Sequence, residues 1–300
     1  MDMIQNKCCR HGANLRRKRC RRRKILRSII FSCSIIAVAV FVAVGSSMIR
    51  SGDDRTNKYD VEAGNNTYDN AVIENSKISE KNKIQNNQSM LDDIMNSTQY
   101  PKQLKDLALK NEEALEFVYD YPAEHVKEHT IDLTEEASMD SVPLFVQWDK
   151  RWGYEKYSGN FFAASGCGPT TLSMVVVYLT HNREASPIAV AKYSKEAGYS
   201  VDGSGSSWTL ISEGCMHYGV KAKAVALDES RMKAELDEGH PIVVNVGPGD
   251  FTDTGHFMVI TGYDDEGFSI NDPNSIEKSG KRWLFKNISS QIRAVWSMYV

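Results

Sequence analysis

The chain has 300 residues, of which 41% are hydrophobic and 25% are charged, and its formal net charge is −3 at pH 7. This composition is typical of one or two globular domains, and it excludes collagen-like, wholly disordered and multi-span membrane proteins. The charge is split: residues 1–27 carry eleven basic side chains and one acidic one, whereas the remainder has 25 basic and 38 acidic side chains. Because the basic charge is confined to a short arm, no nucleic acid is expected as a partner.

An uncharged apolar segment follows the basic arm. Residues 28–49 contain no charged side chain, and a helix of this length spans roughly 33 Å, enough to cross the hydrocarbon core of a bilayer. The flanking charges, basic before it and acidic from Asp53 onward, predict a cytoplasmic N-terminus and an extracytoplasmic remainder. A cleavable signal peptide is the alternative, since Ala43, Gly45 and Ser46 are small, but the long uncharged segment favours an uncut single-pass anchor in the cell membrane.

The segment after the predicted anchor is polar. Residues 50–100 are rich in Asn, Asp, Ser and Lys, and their few large apolar side chains cannot offset the entropy lost on ordering, which predicts a disordered stalk. Residues 101–141 predict a helical preface and linker, because apolar side chains recur at helical spacing as far as residue 120 and a polar stretch follows. From Val142 onward apolar, aromatic and Gly content rise together, so residues 142–300 form the predicted compact domain.

Helices precede strands within this domain. The hydrophobic patterns predict helices at 170–179, 188–197, 208–218 and 229–237, and strands at 241–246, 256–263 and 268–271. Helices followed by an antiparallel sheet indicate the α+β class and not the alternation of a parallel-sheet fold.

The segment Ser165-Gly-Cys-Gly-Pro-Thr-Thr171 is the most informative motif. Pro169 suits the first turn of a helix, which places Cys167 at or near the helix N-cap. There the positive end of the helix dipole and unpaired N–H groups favour the thiolate, the reactive form of cysteine. Flanking glycines indicate an exposed sulfur rather than one packed in a core. Cys215, which lacks such flanks, is interpreted as a core residue, and one pair of cysteines beyond the anchor excludes a disulfide framework.

A nucleophilic thiolate needs an imidazole to stabilise it and to protonate the leaving amine. Of the seven histidines, His256 alone follows a Gly- and Asp-containing loop and opens an apolar strand. This position at the mouth of a rigid strand predicts His256 as the general base.

A third group must hold the imidazole in one orientation, and Asp272 is the leading candidate, with Asn271 and Asn274 as substitutes. If Asp265 to Gly267 form a three-residue hairpin loop, a strict antiparallel ladder leaves Asp272 four residues out of step with His256, or roughly 13 Å. The triad therefore requires a bulge or a curl at the end of a strand.

Several motifs together resemble the bacteriocin-processing cysteine peptidases, family thirty-nine of the papain clan, in their stand-alone form. The motifs are VPLFVQWDKRWG from Val142, SGCGPTTLSMVV from Ser165, SGSSWTL around Trp208, GHFMVITGYDD from Gly255 and INDPNS from Ile270. The resemblance covers residues 142–300. It implies a papain-like fold in which a Cys-His-Asp triad hydrolyses a peptide or isopeptide bond.

The resemblance also implies a role for Gln147 as the side-chain donor to the oxyanion. The sequence departs here from transporter-fused relatives, because twenty residues separate Gln147 from Cys167. The alternative is a surface amide beside Trp148 and Trp152. Trp208 is either a wall of the substrate cleft or a core residue.

Two other functions stay open: an inactive papain-like binding module on a membrane stalk, and an acyl transferase that uses the same thiol. No ATPase motif follows, so no fused ATPase is expected. No His, Cys or carboxylate cluster has ligand spacing, so neither metal nor other cofactor is expected. The expected partners are a peptide or protein substrate outside the membrane and the lipid bilayer, through residues 28–49.

Overall fold

The computed structural model describes residues 66–300, so the basic arm, the predicted anchor at 28–49 and the start of the predicted stalk lie outside the described residues. The chain divides into two units, Met1–Asn75 and Ser76–Val300, and the contacts given below lie within the second. Within residues 66–300, no helix combines the length and apolar character that crossing a membrane requires.

Helices dominate the first part of the described chain. They are α1 Asn66–Asn96, α2 Lys102–Lys110, α3 Leu115–Tyr119, α4 Tyr121–Glu124, α5 Thr134–Ser138, α6 Phe162–Ser165, α7 Cys167–Thr180, α8 Pro187–Glu196, α9 Thr209–Ser212, α10 Glu229–Asp237, α11 Ile276–Ser279 and α12 Phe285–Ile288. Short 3₁₀ helices lie at Glu112–Ala114, Gly214–Tyr218 and Ser289–Gln291.

The strands form one large sheet and two small hairpins. They are β1 Lys156–Tyr157, β2 Asn160–Phe161, β3 Ser200–Val201, β4 Gly205–Ser206, β5 Lys221–Ala224, β6 Ile242–Val246, β7 His256–Asp264, β8 Gly267–Asn271, β9 Arg282–Trp283 and β10 Ile292–Tyr299. The large sheet has the order β5-β10-β6-β7-β8-β9, and every neighbouring pair is antiparallel. Helices followed by an antiparallel sheet confirm the predicted α+β class.

Helix α7 is the central helix of the fold. It begins after Gly166 and ends at His181, whose left-handed backbone (φ 57°) breaks the helical hydrogen bonding. Eleven of its fourteen residues are buried, as expected for a helix that is apolar on all sides. Its N-terminal end, which carries Cys167, is fixed against the sheet by the Thr171 hydroxyl, which donates to the carbonyl of Phe257 at 3.1 Å.

The central strand β6 is buried along its whole length, which explains why it is apolar at every position except Asn245. Val243 and Val259 pack on the side of α7, in the core cluster that also contains Leu172. Val244 and Met258 pack in a second cluster on the other side. The first half of β7 is therefore packed on both faces of the sheet.

The expected disordered stalk is wrong for residues 66–96, which form helix α1. Polar composition alone suggested too little apolar area, but the area needed is concentrated at the end of the helix. Ile94 is fully buried in a cluster with Leu104 and Phe117, and Met90 and Leu91 pack against it. Tertiary packing thus stabilises a helix that its composition does not.

The single amphipathic helix expected up to residue 120 is also wrong, because it breaks at Asn111, whose extended backbone ends α2. The apolar side chains whose spacing predicted this helix are nevertheless buried, in α2 and α3. Similarly, the helix expected at 208–218 divides at Glu213 into α9 and a 3₁₀ turn. Leu133 and Ala137, expected in a linker, are buried in the cluster around α7.

Three strands of the sheet, β5, β9 and β10, were not predicted. Strand β10 lies between β5 and β6, with Val295 in one core cluster and Trp296 in the other. Because it is buried on both faces and bulged between Ile292 and Ala294, it lacks the period of two that marks a half-exposed strand.

The packing of α1 is testable. We expect Ile94→Ala to lower the free energy of unfolding by about 2–5 kcal/mol, because the substitution leaves a cavity at a fully buried position. Ile84→Ala, in the same helix at a position 61% exposed, should change it by less than about 0.5 kcal/mol. Urea unfolding of both variants measures the difference, and equal stabilities would contradict the packed helix.

Candidate active site

Cys167 is the first residue of α7 and is half-buried. Burial raises the pKa of its thiol, but a hydrogen bond from His256, the charge of that imidazolium and the backbone N–H groups of Phe257 and Gly168 outweigh burial. The net effect is a pKa below its ordinary value. A thiol at the start of a helix with a lowered pKa agrees with what the motif predicts.

Gly168 allows this close approach. A side chain at this position would meet the Ser206 hydroxyl at 2.5 Å. The Ser206 hydroxyl is itself bonded to that of Tyr157 at 2.6 Å, so it is not free to move away. The glycine after the cysteine is thus required by the β4 loop packed on the helix N-terminus, a contact that the sequence did not predict.

His256 opens β7 opposite Val246 of β6, and its side chain is buried. The Asn245 amide donates to the His256 carbonyl at 3.2 Å. The Thr171 hydroxyl donates to the next carbonyl, that of Phe257. Hydrogen bonds from two elements therefore fix the backbone that carries the imidazole. His256 thus lies at the start of a rigid strand, as expected from the sequence.

Asp272 is fully buried, and its Oδ1 lies 2.7 Å from Nε2 of His256. Burial lowers the pKa of the imidazole, but the charge of Asp272 and the hydrogen bonds to Asp272 and Cys167 outweigh it and raise the pKa to about 10. Because Nε2 faces the carboxylate, Nδ1 is the nitrogen left for the sulfur. His256 thus lies between Asp272, which is bonded to its Nε2, and Cys167, whose charge helps to raise the pKa of the imidazole.

The strand register explains how Asp272 reaches His256. The three-residue hairpin loop considered from the sequence, Asp265 to Gly267, is wrong: Asp264 pairs with Gly267, so the loop has two residues. Gly267 takes φ +134°, and a side chain there would collide with the Trp283 carbonyl at 2.6 Å. The shorter loop removes one residue of the offset.

A bulge removes a second residue. The register shifts between Ile260 and Gly262, so Val259 pairs with Asn271 and the extrapolated ladder sets Asp272 against Met258, two residues from His256. An isolated bridge between Asp272 and Ser275 then turns the chain. The required bulge and curl are both present.

Gln147 is buried, so the alternative of a surface amide is wrong. Its Nε2 donates to the carbonyl of Ala163 at 2.7 Å, and its backbone N–H donates to the carbonyl of Pro273 at 2.7 Å. The amide is thus anchored between α6, which immediately precedes Cys167, and the turn that holds Asp272. Its second N–H hydrogen is not used by the bond to Ala163.

The substitutes for Asp272 have other partners. Asn271 donates to the carbonyls of Val142 and Pro143 at 3.1 and 3.0 Å. The backbone N–H of Asn274 donates to Asp272 Oδ1 at 2.8 Å. Neither side chain replaces the carboxylate beside His256.

Other predicted residues divide between surface and core. Trp208 is 47% exposed and packs edge-to-face on Trp296, with ring centroids 6.0 Å apart. Cys215 is fully buried, and burial raises the pKa of its thiol to about 11, which confirms it as a core residue. Among residues 66–300, no group of three or more His, Cys, Asp or Glu side chains could hold a metal ion.

Comparison with known proteins gives one family. The model of the Peptidase_C39 like family matches residues 139–300. The peptidase domain of Streptococcus ComA, a bi-functional ABC transporter involved in a quorum sensing pathway, is 20% identical, with a TM-score of 0.37, over 45% of this chain and 90% of that chain. A C39-like protein from Bacillus anthracis is 18% identical, with a TM-score of 0.33, over 53% of this chain and 95% of that chain. No curated protein matches the chain.

The lowered pKa of Cys167 predicts selective alkylation. Because thiolate is the reactive form, iodoacetamide should label Cys167 in the full chain with a midpoint below pH 9.0, the ordinary thiol value. Cys215 should stay unlabelled. His256→Ala should move the Cys167 midpoint upward, since burial remains while the stabilising charge is lost. Peptide-mapped mass spectrometry across pH measures both sites, and a Cys167 no faster than glutathione would exclude an activated thiol.

Proposed function

Because the chain belongs to the Peptidase_C39 like family, we propose that it is a papain-like cysteine peptidase that hydrolyses a peptide or isopeptide bond with Cys167 as the nucleophile. Family membership supports a peptidase-like function. The observation that carries the assignment of residues is the 2.7 Å contact of His256 with Asp272, on an imidazole whose charge lowers the pKa of the Cys167 thiol.

The first half of the reaction forms an acyl-enzyme. The Cys167 thiolate attacks the carbonyl carbon, and negative charge moves to the carbonyl oxygen. The second N–H of Gln147 and the backbone N–H of Cys167, which has no acceptor within its helix, are the proposed donors to this oxygen. The His256 imidazolium then protonates the leaving amine as the C–N bond breaks, leaving a thioester.

The second half releases the acyl group. Neutral His256 accepts a proton from water, whose oxygen attacks the thioester carbonyl. Collapse of the intermediate breaks the C–S bond and restores the thiolate and the imidazolium. Asp272 keeps Nε2 occupied throughout, so the ring presents Nδ1 to both the sulfur and the leaving group.

We further propose that the domain is held outside the cell membrane by residues 28–49, with the N-terminus in the cytoplasm. The support is the sequence alone: an uncharged apolar segment between a basic arm and an acidic remainder. We expect the full chain to stay in the membrane pellet after carbonate extraction and its domain to be cleaved by protease added outside spheroplasts. Release by carbonate would contradict the anchor.

A substitution series tests the catalytic roles. We expect Cys167→Ala to abolish digestion of a peptide library and His256→Ala to come close to doing so, because each removes one half of the ion pair. Gln147→Ala should lower kcat about 10²–10³-fold with little change in KM, because it removes one donor to the oxyanion.

Activity is read by mass spectrometry of library products, and thermal unfolding checks that each variant is folded. A folded Cys167→Ala chain with full activity would exclude the mechanism. A wild-type chain that binds library peptides without cleaving them would instead indicate a binding module. Product analysis with added amines distinguishes hydrolysis from acyl transfer.

A further inference from the structure

Asp272 depends on its backbone for its position. Its Oδ1 accepts from His256 and from the N–H of Asn274, at 2.7 and 2.8 Å. Its Oδ2 is buried and has no hydrogen-bond partner among residues 66–300. With one oxygen unpaired, the carboxylate lacks the second anchor that would fix it independently, so the turn formed by residues 272–275 determines where it lies.

That turn leads directly into α11, a helix of a single turn. Ser275 is its N-cap and accepts from the N–H of Lys278 at 3.0 Å. Ser279, its last residue, accepts from the N–H of Asp272 at 2.9 Å. The turn and α11 therefore form a closed loop of hydrogen bonds around Asp272. A single helical turn is unstable by itself, so an external group must hold it.

Glu113, in the 3₁₀ helix that follows α2, is this external group. Its Oε2 accepts from the N–H groups of Ile276 and Glu277 at 2.7 and 3.1 Å, and its Oε1 accepts from the Ser275 hydroxyl. Together with the Ser275 cap, Glu113 satisfies the three N–H groups that α11 leaves without intrahelical partners. A carboxylate at a helix N-terminus is also favoured by the dipole of the peptide groups.

A neighbouring residue supports the same turn. The Asn111 amide donates to the backbone and side-chain oxygens of Asn274 at 2.9 and 3.1 Å. Asn111 and Glu113 both precede residues 139–300, the part of the chain that the family model matches. The contacts thus connect the helical preface to the turn that carries Asp272.

We propose that Glu113 is a positioning residue for the catalytic site, which acts through α11 and the 272–275 turn to hold Asp272 against His256. The inference rests on the proposed function, in which Asp272 orients and stabilises the imidazolium. Loss of Glu113 would leave two N–H groups of α11 without acceptors and loosen the turn. The imidazolium would then be less stabilised, and so would the thiolate paired with it.

The test uses the full chain and two readouts. We expect Glu113→Ala to raise the midpoint of Cys167 alkylation by roughly one pH unit, the lower end of the effect of a nearby opposite charge. It should lower kcat for library peptides about 10–100-fold with KM little changed, since misplacement of a catalytic group acts on the chemical step. Glu113→Gln, which keeps one acceptor oxygen, should raise the alkylation midpoint and lower kcat by smaller amounts.

Glu116→Gln is the matched control, because it removes the same charge from an exposed position three residues away and should leave both readouts unchanged. A folded Glu113→Ala or Glu113→Gln chain with unchanged midpoint and kcat would overturn the proposal. Failure of both variants to fold would mean that Glu113 supports the whole domain, and would overturn a specific role. A wild-type Cys167 without enhanced alkylation would refute the proposed function instead.

Discussion

The hydrogen bond between His256 and Asp272 sets the geometry of the entire site. It joins two buried groups that an undistorted hairpin would hold four residues out of step, so the sheet must be built to bring them together. A two-residue loop at Asp265 and Glu266 and the bulge at Thr261 each remove one residue of that offset. The turn after Asn271 covers the remaining distance. The geometry of this candidate site depends on strand register, because a shift of one residue moves a side chain by roughly 3.3 Å along the strand.

The same turn also holds the other side of the site. The carbonyl of Pro273 accepts from the backbone N–H of Gln147, so a single backbone segment fixes both the carboxylate behind the imidazole and the amide beside the cysteine. Helix α6 contributes through Ala163, which accepts from the Gln147 side chain. The proposed base and the proposed oxyanion donor are thus both held by hydrogen bonds to residues 272–273 that do not require a bound substrate.

Much of this site can be read from the sequence, because local chemistry determines it. The Gly-Cys-Gly-Pro motif places Cys167 at the start of a buried helix, and the loop before an apolar strand places His256 at its mouth. The register of β7 with β8 could not be predicted from the sequence. The loop length and the bulge depend on how Gly267 and Trp283 fit together across β8 and β9. The bulge and the hairpin loop leave no period in the hydrophobic pattern.

Long-range support was beyond the sequence for a related reason. Glu113 and Ser275 are separated by 162 residues, and neither has a local pattern that points to the other. The end of α1 shows the same limit: its polar composition indicates disorder, whereas the burial of Ile94 depends on neighbours contributed by α2 and α3. Composition describes what a segment can do alone, and these segments fold only with partners.

The place of β10 in the sheet has a consequence for biosynthesis. Residues 292–299 supply a strand that lies between β5 and β6, so those two strands have no direct pairing and β6 lacks one neighbour until the ribosome has added β10. Pairing between strands far apart in the sequence forms slowly, because the entropy of loop closure opposes it until the contacts are made. The hairpin that carries His256 therefore gains its full support only after synthesis has passed residue 299.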